Sequence, residues 1–159
     1  KISLYINRLS YLFVKLVSHE ATQKHIFRVV PFVDGVLDVT QDVFITICFC
    51  KDNDEDYDLL LQDHQSKLRL GNYVTFQISR SMSEGSGGDS CELALSSQED
   101  GYRLSKDKSS KYFDVDHLCS ASRVSHQFRL MRCKGEVTEM VNVKLKISQS
   151  EENQTDLIL

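Results

Sequence analysis

Short runs in which apolar and polar residues alternate recur along this chain, with polar breaks between them. Alternation at period two sends successive side chains to opposite faces of an extended strand. Four stretches follow one scheme, an alternating strand, a polar break and a second apolar strand: 11–17 with 25–30, 43–50 with 57–61, 73–79 with 91–95, and 141–147 with 156–159. The stretch 43–50 is apolar on both faces apart from Thr46, the pattern of a strand buried on both sides. Gly71 opens a strand with Val74, Phe76 and Ile78 on one face, and 91–95 reads as its hairpin partner across the Ser/Gly-rich stretch 81–90. Phe128, Leu130 and Met131 are inward candidates in 127–133, and Val141, Val143, Leu145 and Ile147 share one face. Pro31 marks a strand edge or end, and Asp34-Gly35 a turn. No clean helical period of ten or more residues occurs, and 62–68 is the best short helical piece.

This pattern predicts an all-β fold, one or two small antiparallel β-barrels, with a β-sandwich as the alternative architecture. The polar, charged stretch 98–111 reads as a linker. It would divide a β-barrel domain over 1–97 from a second β unit over 112–159, which either stands apart or packs on the first as one domain.

Composition supports a folded chain. Hydrophobic residues make up 41% of the 159, and with no tryptophan the core rests on Leu, Val, Ile and eight Phe. Both ends read as boundaries of a piece cut from a larger protein. The net charge of −4 argues against sequence-independent nucleic-acid binding, which needs a basic excess. No apolar stretch is long enough to span a membrane. Cys48, Cys50, Cys91, Cys119 and Cys133 make an odd set without the spacing of a disulfide scaffold, which predicts reduced thiols in an intracellular protein, cytoplasmic or nuclear. The sequon Asn153-Gln154-Thr155 points the other way, though such triplets are inert in the cytosol.

The candidate chemistry is sparse. Asp52, Asp54 and Asp56 have the alternate spacing of a calcium loop, but Tyr57 stands where the tight turn needs glycine and Asp63 where a bidentate Glu is expected. The acidic stretch 52–58 therefore reads as a solvated loop. Cys48 and Cys50 share a strand face, and no spacing of His117, Cys119, His126 and Cys133 matches a zinc module, so neither a metal site nor a cofactor is expected. His19, His25, His64, His117 and His126 lack any nucleophile motif, and no catalytic residue is assigned.

The segment Leu68-Arg69-Leu70-Gly71-Asn72-Tyr73-Val74-Thr75-Phe76-Gln77-Ile78 resembles the turn and strand of cold-shock and S1-type OB-fold barrels. Residues 91–95 resemble the returning strand, and Asp42-Val43-Phe44-Ile45 is similar to the third-strand motif of cold-shock domains. The resemblance covers 32–97, with a second copy over 102–159 that places Gly135 and 141–147 in matching positions. The glycine-aromatic strand of that family is absent and Thr46 replaces its histidine, which implies a module that kept the fold and lost the usual ligand surface.

These observations predict a non-catalytic interaction module of a larger protein that binds a protein or peptide partner. Tyr5, Tyr11, Phe13, Phe32, Tyr73 and Tyr112 are the candidate anchors. The first alternative is a single-stranded RNA- or DNA-binding OB-type domain, with Phe44 and Tyr73 stacking on bases and Lys67, Arg69, Arg80, Lys144 and Lys146 on phosphates. The second is a calcium-binding sandwich of C2 type that uses Asp52, Asp54 and Asp56.

Overall fold

The computed structural model describes residues 22–34, 42–81, 89–97, 102–104, 109–133, 143–149 and 154–159. Strands β1 (Thr22–Asp34), β2 (Val43–Lys51), β3 (Lys67–Arg69), β4 (Val74–Ser81), β6 (Tyr102–Leu104) and β8 (Arg123–Arg132) form the first sheet. Its order is β3-β1-β2-β8-β6, with β4 also paired to β1. Strands β5 (Ser90–Ser97), β7 (Ser110–Asp114), β9 (Val143–Ser148) and β10 (Gln154–Ile158) form the second, in the order β10-β9-β5-β7. All pairings are antiparallel. Helix α1 (Asp54–Asp63) follows β2, and helix α2 (Val115–Ser120) follows β7.

The all-β expectation holds. Neither sheet closes into a barrel among the described residues; the two share one core. Phe27, Val29, Ile47, Phe49, Phe76 and Phe128 of the first sheet enter the same buried cluster as Cys91, Leu93, Leu145 and Ile147 of the second. Both sheets draw strands from either side of 98–111, and Tyr102–Leu104 within that stretch is β6, paired to β8. No helix among the described residues is long and apolar enough to cross a membrane.

The two-faced burial expected of 43–50 is present: β2 is buried from Ile45 through Cys50. Its inward residues Ile45, Ile47 and Phe49 meet the second sheet, while Cys48 and Cys50 join Val30, Phe32 and Leu60 in a smaller cluster beneath α1. That helix corrects the sequence reading, which made 57–61 a strand and 52–58 a loop. Asn53 caps the helix, its side-chain oxygen accepting the Asp56 N–H at 2.7 Å, and Asp54, Glu55 and Asp56 in the first turn complement the helix dipole. Tyr57, Leu60, Leu61 and His64 follow at helical spacing, and Leu60 is buried while Leu59 is exposed. Of the helical piece expected over 62–68, Gln62 and Asp63 end α1, a turn follows, and β3 begins at Lys67.

Three further expectations change. Residues 73–79 and 91–95 are not hairpin partners, because β4 pairs with β1 in one sheet while β5 lies between β7 and β9 in the other. Met131 is exposed, its position in the alternation lying opposite to buried Phe128 and Leu130. Pro31 lies inside β1 rather than at its end, between the stretch paired with β4, which stops at Val29, and the stretch paired with β3, which starts at Phe32. The expected strand at 11–17, the turn at Gly35 and the inward Val141 lie outside the described residues.

Truncating a core ring should cost far more than truncating a surface ring. Phe49→Ala is expected to lower stability by about 3–5 kcal/mol. Tyr112→Ala, at an exposed position, should stay within about 0.5 kcal/mol of the parent. Urea unfolding of the two variants checks the difference.

Candidate interaction surface

The break in β1's outer edge places a cluster of aromatic and charged side chains. β3 and β4 run in the same direction along that edge, and residues 70–73 between them face only Val30 and Pro31. Proline has no N–H for a ladder, so the edge pairing is interrupted there. The Leu70 N–H reaches the Pro31 carbonyl at 2.9 Å, and Gly71 takes φ +70°, the left-handed region that a side chain disfavours. The chain thus bulges and delivers Tyr73 beside Arg28, where the Arg28 guanidinium lies 4.8 Å from the Tyr73 ring centre and 5.2 Å from that of Tyr57. The two rings meet edge to face at 5.1 Å.

Carboxylates hold Arg28 from the other side. Its Nε is 2.7 Å from Asp52 Oδ1 and its Nη1 2.9 Å from Asp54 Oδ1. These hydrogen bonds, that of Asp52 first, push the guanidinium's pKa further up. Arg69 Nη1 donates to the Tyr57 hydroxyl at 2.6 Å. Tyr73 is 37% exposed and Ile26, two residues before Arg28 on the same face of β1, is 48% exposed. The far edge of β4 has no strand partner among the described residues, and at Ser79 its backbone N–H donates instead to Gln149 Oε1 at 2.8 Å.

Of the expected anchors among the described residues, Tyr73 alone belongs to this cluster. Phe32 is 2% exposed, stacked on His64 at 4.8 Å beneath α1, and so is not available to a partner. Tyr112 is exposed on the outer face of the second sheet. Tyr5, Tyr11 and Phe13 lie outside the described residues. Arg28 and Tyr57 were missed. Arg28 reads as one polar position of an alternating strand, and Tyr57 as part of an apolar run.

The residues expected to bind nucleic acid do not form one groove. Arg69 and Tyr73 are at the cluster, while Lys67 lies 3.3 Å from Asp34 and donates to the Thr46 hydroxyl at 2.8 Å. Phe44 sits under Arg129, whose guanidinium carbon is 5.9 Å from the ring centre. Arg80 pairs with Asp116 at 2.6 Å and Lys144 with Asp156 at 2.7 Å. Lys146 is on the second sheet and has no carboxylate partner among the described residues. The aspartates spaced like a calcium loop are likewise engaged: Asp52 and Asp54 with Arg28, and Asp56 with Asn53 at 2.8 Å.

No group of three or more His, Cys, Asp or Glu among the described residues has the geometry to hold a metal ion. Cys48 Sγ is 3.4 Å from His64 Nε2, on the helix-covered face of the first sheet. His126 instead faces the core, edge-on to Phe113 and Phe128, and burial lowers its pKa. Burial pushes the Cys48 thiol up to about 12, Cys50 to about 11 and Cys91 to about 12. Such thiols stay protonated and are poor nucleophiles near neutral pH.

The raised thiol values set an alkaline limit. Folding keeps these groups protonated at pH values where the unfolded chain, with thiols near 9.0, ionises. The unfolded state then binds fewer protons, so the stability held below pH 9.0 is lost as pH rises through about 11 to 12. The urea midpoint is expected to fall between about pH 8 and about pH 10, and to fall less in Cys91→Ala. No protein-family model matches this chain, and a search of curated proteins finds no similar one.

Proposed function

We propose that this chain is a non-catalytic interaction module that binds a peptide segment of a partner protein at the Arg28–Tyr57–Tyr73 cluster, at the start of β4. The cluster itself carries the reading. Tyrosine and arginine dominate the energetics of protein interfaces, and here both are held in place before any partner arrives. Tyr73 stands at the start of β4, so an extended segment laid against that end of the strand would run past its ring. The bulge at 70–73 also gives such a segment one register mark, because it ends β4's edge at a defined residue.

The surrounding chemistry favours a peptide over a nucleic acid. Lys67, Arg80 and Lys144 each face a carboxylate, which offsets the charge that phosphate tracking requires. The free, buried thiols fit a reducing compartment, cytoplasmic or nuclear.

Panning a random-peptide phage library on the protein tests the reading. Enriched peptides are expected to bind the parent and to lose about tenfold or more in Tyr73→Ala. Absence of enrichment, or peptides indifferent to that substitution, would sink it.

A further inference from the structure

The outer face of the second sheet differs from that of the first in having no helix over it among the described residues. Alternation puts Ser90 and Glu92 of β5, Tyr112 of β7, Lys146 and Ser148 of β9 and Gln154 of β10 on that face. Together they line a hollow of 490 Å³, within the size range of small-ligand sites. Tyr112 is 61% exposed, more than any other large hydrophobic residue described. Its hydroxyl donates to Glu92 Oε1 at 2.9 Å, which ties the ring's polar end down and leaves its face open.

The rim is held to the rest of the molecule. Gln149, at the end of β9, uses both ends of its amide on the backbone of Ser79 in the first sheet, accepting the N–H at 2.8 Å and donating to the carbonyl. It helps to line the hollow while it ties that edge to the first sheet.

The polar groups of the described lining select a ligand. Lys144 is taken by Asp156, whereas Lys146 meets no carboxylate among the described residues, and Glu92 keeps a second oxygen beyond the one bound by Tyr112. Among the described lining residues one cation and one anion balance, so neither an anion nor a cation gains from their net charge. Serine hydroxyls, the Gln154 amide, Lys146 and Glu92 supply both donors and acceptors. A ligand with many hydroxyls and no charge would use both kinds, and its C–H face would lie on the electron-rich face of the ring. We propose that the outer face of the second sheet binds neutral carbohydrate, with Tyr112 as the stacking platform and Glu92 and Lys146 as hydrogen-bonding partners for sugar hydroxyls. This face is on a different sheet from the Tyr73 cluster, so the failure of either reading leaves the other standing.

A printed glycan array followed by calorimetric titration of the best neutral oligosaccharide tests the assignment. The parent protein should bind neutral glycans. Tyr112→Ala should weaken binding about tenfold or more while Tyr112→Phe keeps the ring and most of the affinity. Lys146→Ala should weaken it less, and thermal melting should show all three variants folded. No neutral glycan above background, binding confined to sulfated or sialylated glycans, or affinity unchanged in Tyr112→Ala would overturn it.

Discussion

Strand β2 is covered on both of its faces, and much of the architecture follows from that demand. Its inward side is closed by the second sheet through Ile45, Ile47 and Phe49. Its outward side would expose Cys48, Cys50 and the neighbouring Val30 and Phe32 to water unless something covered them. Helix α1, which leaves directly from the end of β2, lays Leu60 over these residues, with Tyr57 and Leu61 at the border. The one polar intruder, Thr46, is answered by Lys67 from β3, and Lys67 in turn reaches Asp34 at the end of β1. Burial of a single strand thus fixes the place of a helix, a short edge strand and an ion pair.

The second constraint is a missing hydrogen. Pro31 cannot continue the edge ladder of β1, and the chain opposite answers by dividing into β3 and β4 with the Gly71 bulge between them. A regular strand would have kept Tyr73 within the pleat. The bulge instead turns it toward Arg28, and the start of α1 brings Tyr57, Asp52 and Asp54 to the same guanidinium. The cluster therefore joins three segments distant in sequence, each placed by a backbone feature rather than by the attraction of the side chains alone.

Those origins explain what could be read in advance. The alternation of β4, β8 and β9 and the double burial of β2 were legible because period-two burial is a local property. Helix α1 was misread because its acids look like a loop and Leu59-Leu60-Leu61 looks like a strand. The discriminating signal was the spacing of Tyr57, Leu60, Leu61 and His64 behind the cap at Asn53. Which strands pair was not legible: β4 and β5 are neighbours in sequence yet lie in different sheets, and no local rule forbids the hairpin. Tyr73 could be flagged as an exposed aromatic, but its meeting with Arg28 and Tyr57 is a tertiary fact with no local imprint. Phe32 was misassigned for the same reason, since a residue on an outward strand face is exposed only if nothing covers that face.

Local pairing handles part of the charge. Arg28, Lys67, Arg80, Arg123, Arg129 and Lys144 each lie against an aspartate, which offsets the charge of these six cations. What distinguishes the Tyr73 cluster from its surroundings is then not sign of charge but order. Arg28 is gripped by two aromatic rings and two carboxylates, and its side chain is only 12% exposed. A long side chain that is already immobile loses little rotamer freedom when a partner covers it. The same contacts hold the Tyr57 and Tyr73 rings against each other and against Arg28, so a partner of the kind proposed would meet a surface that the fold has already arranged.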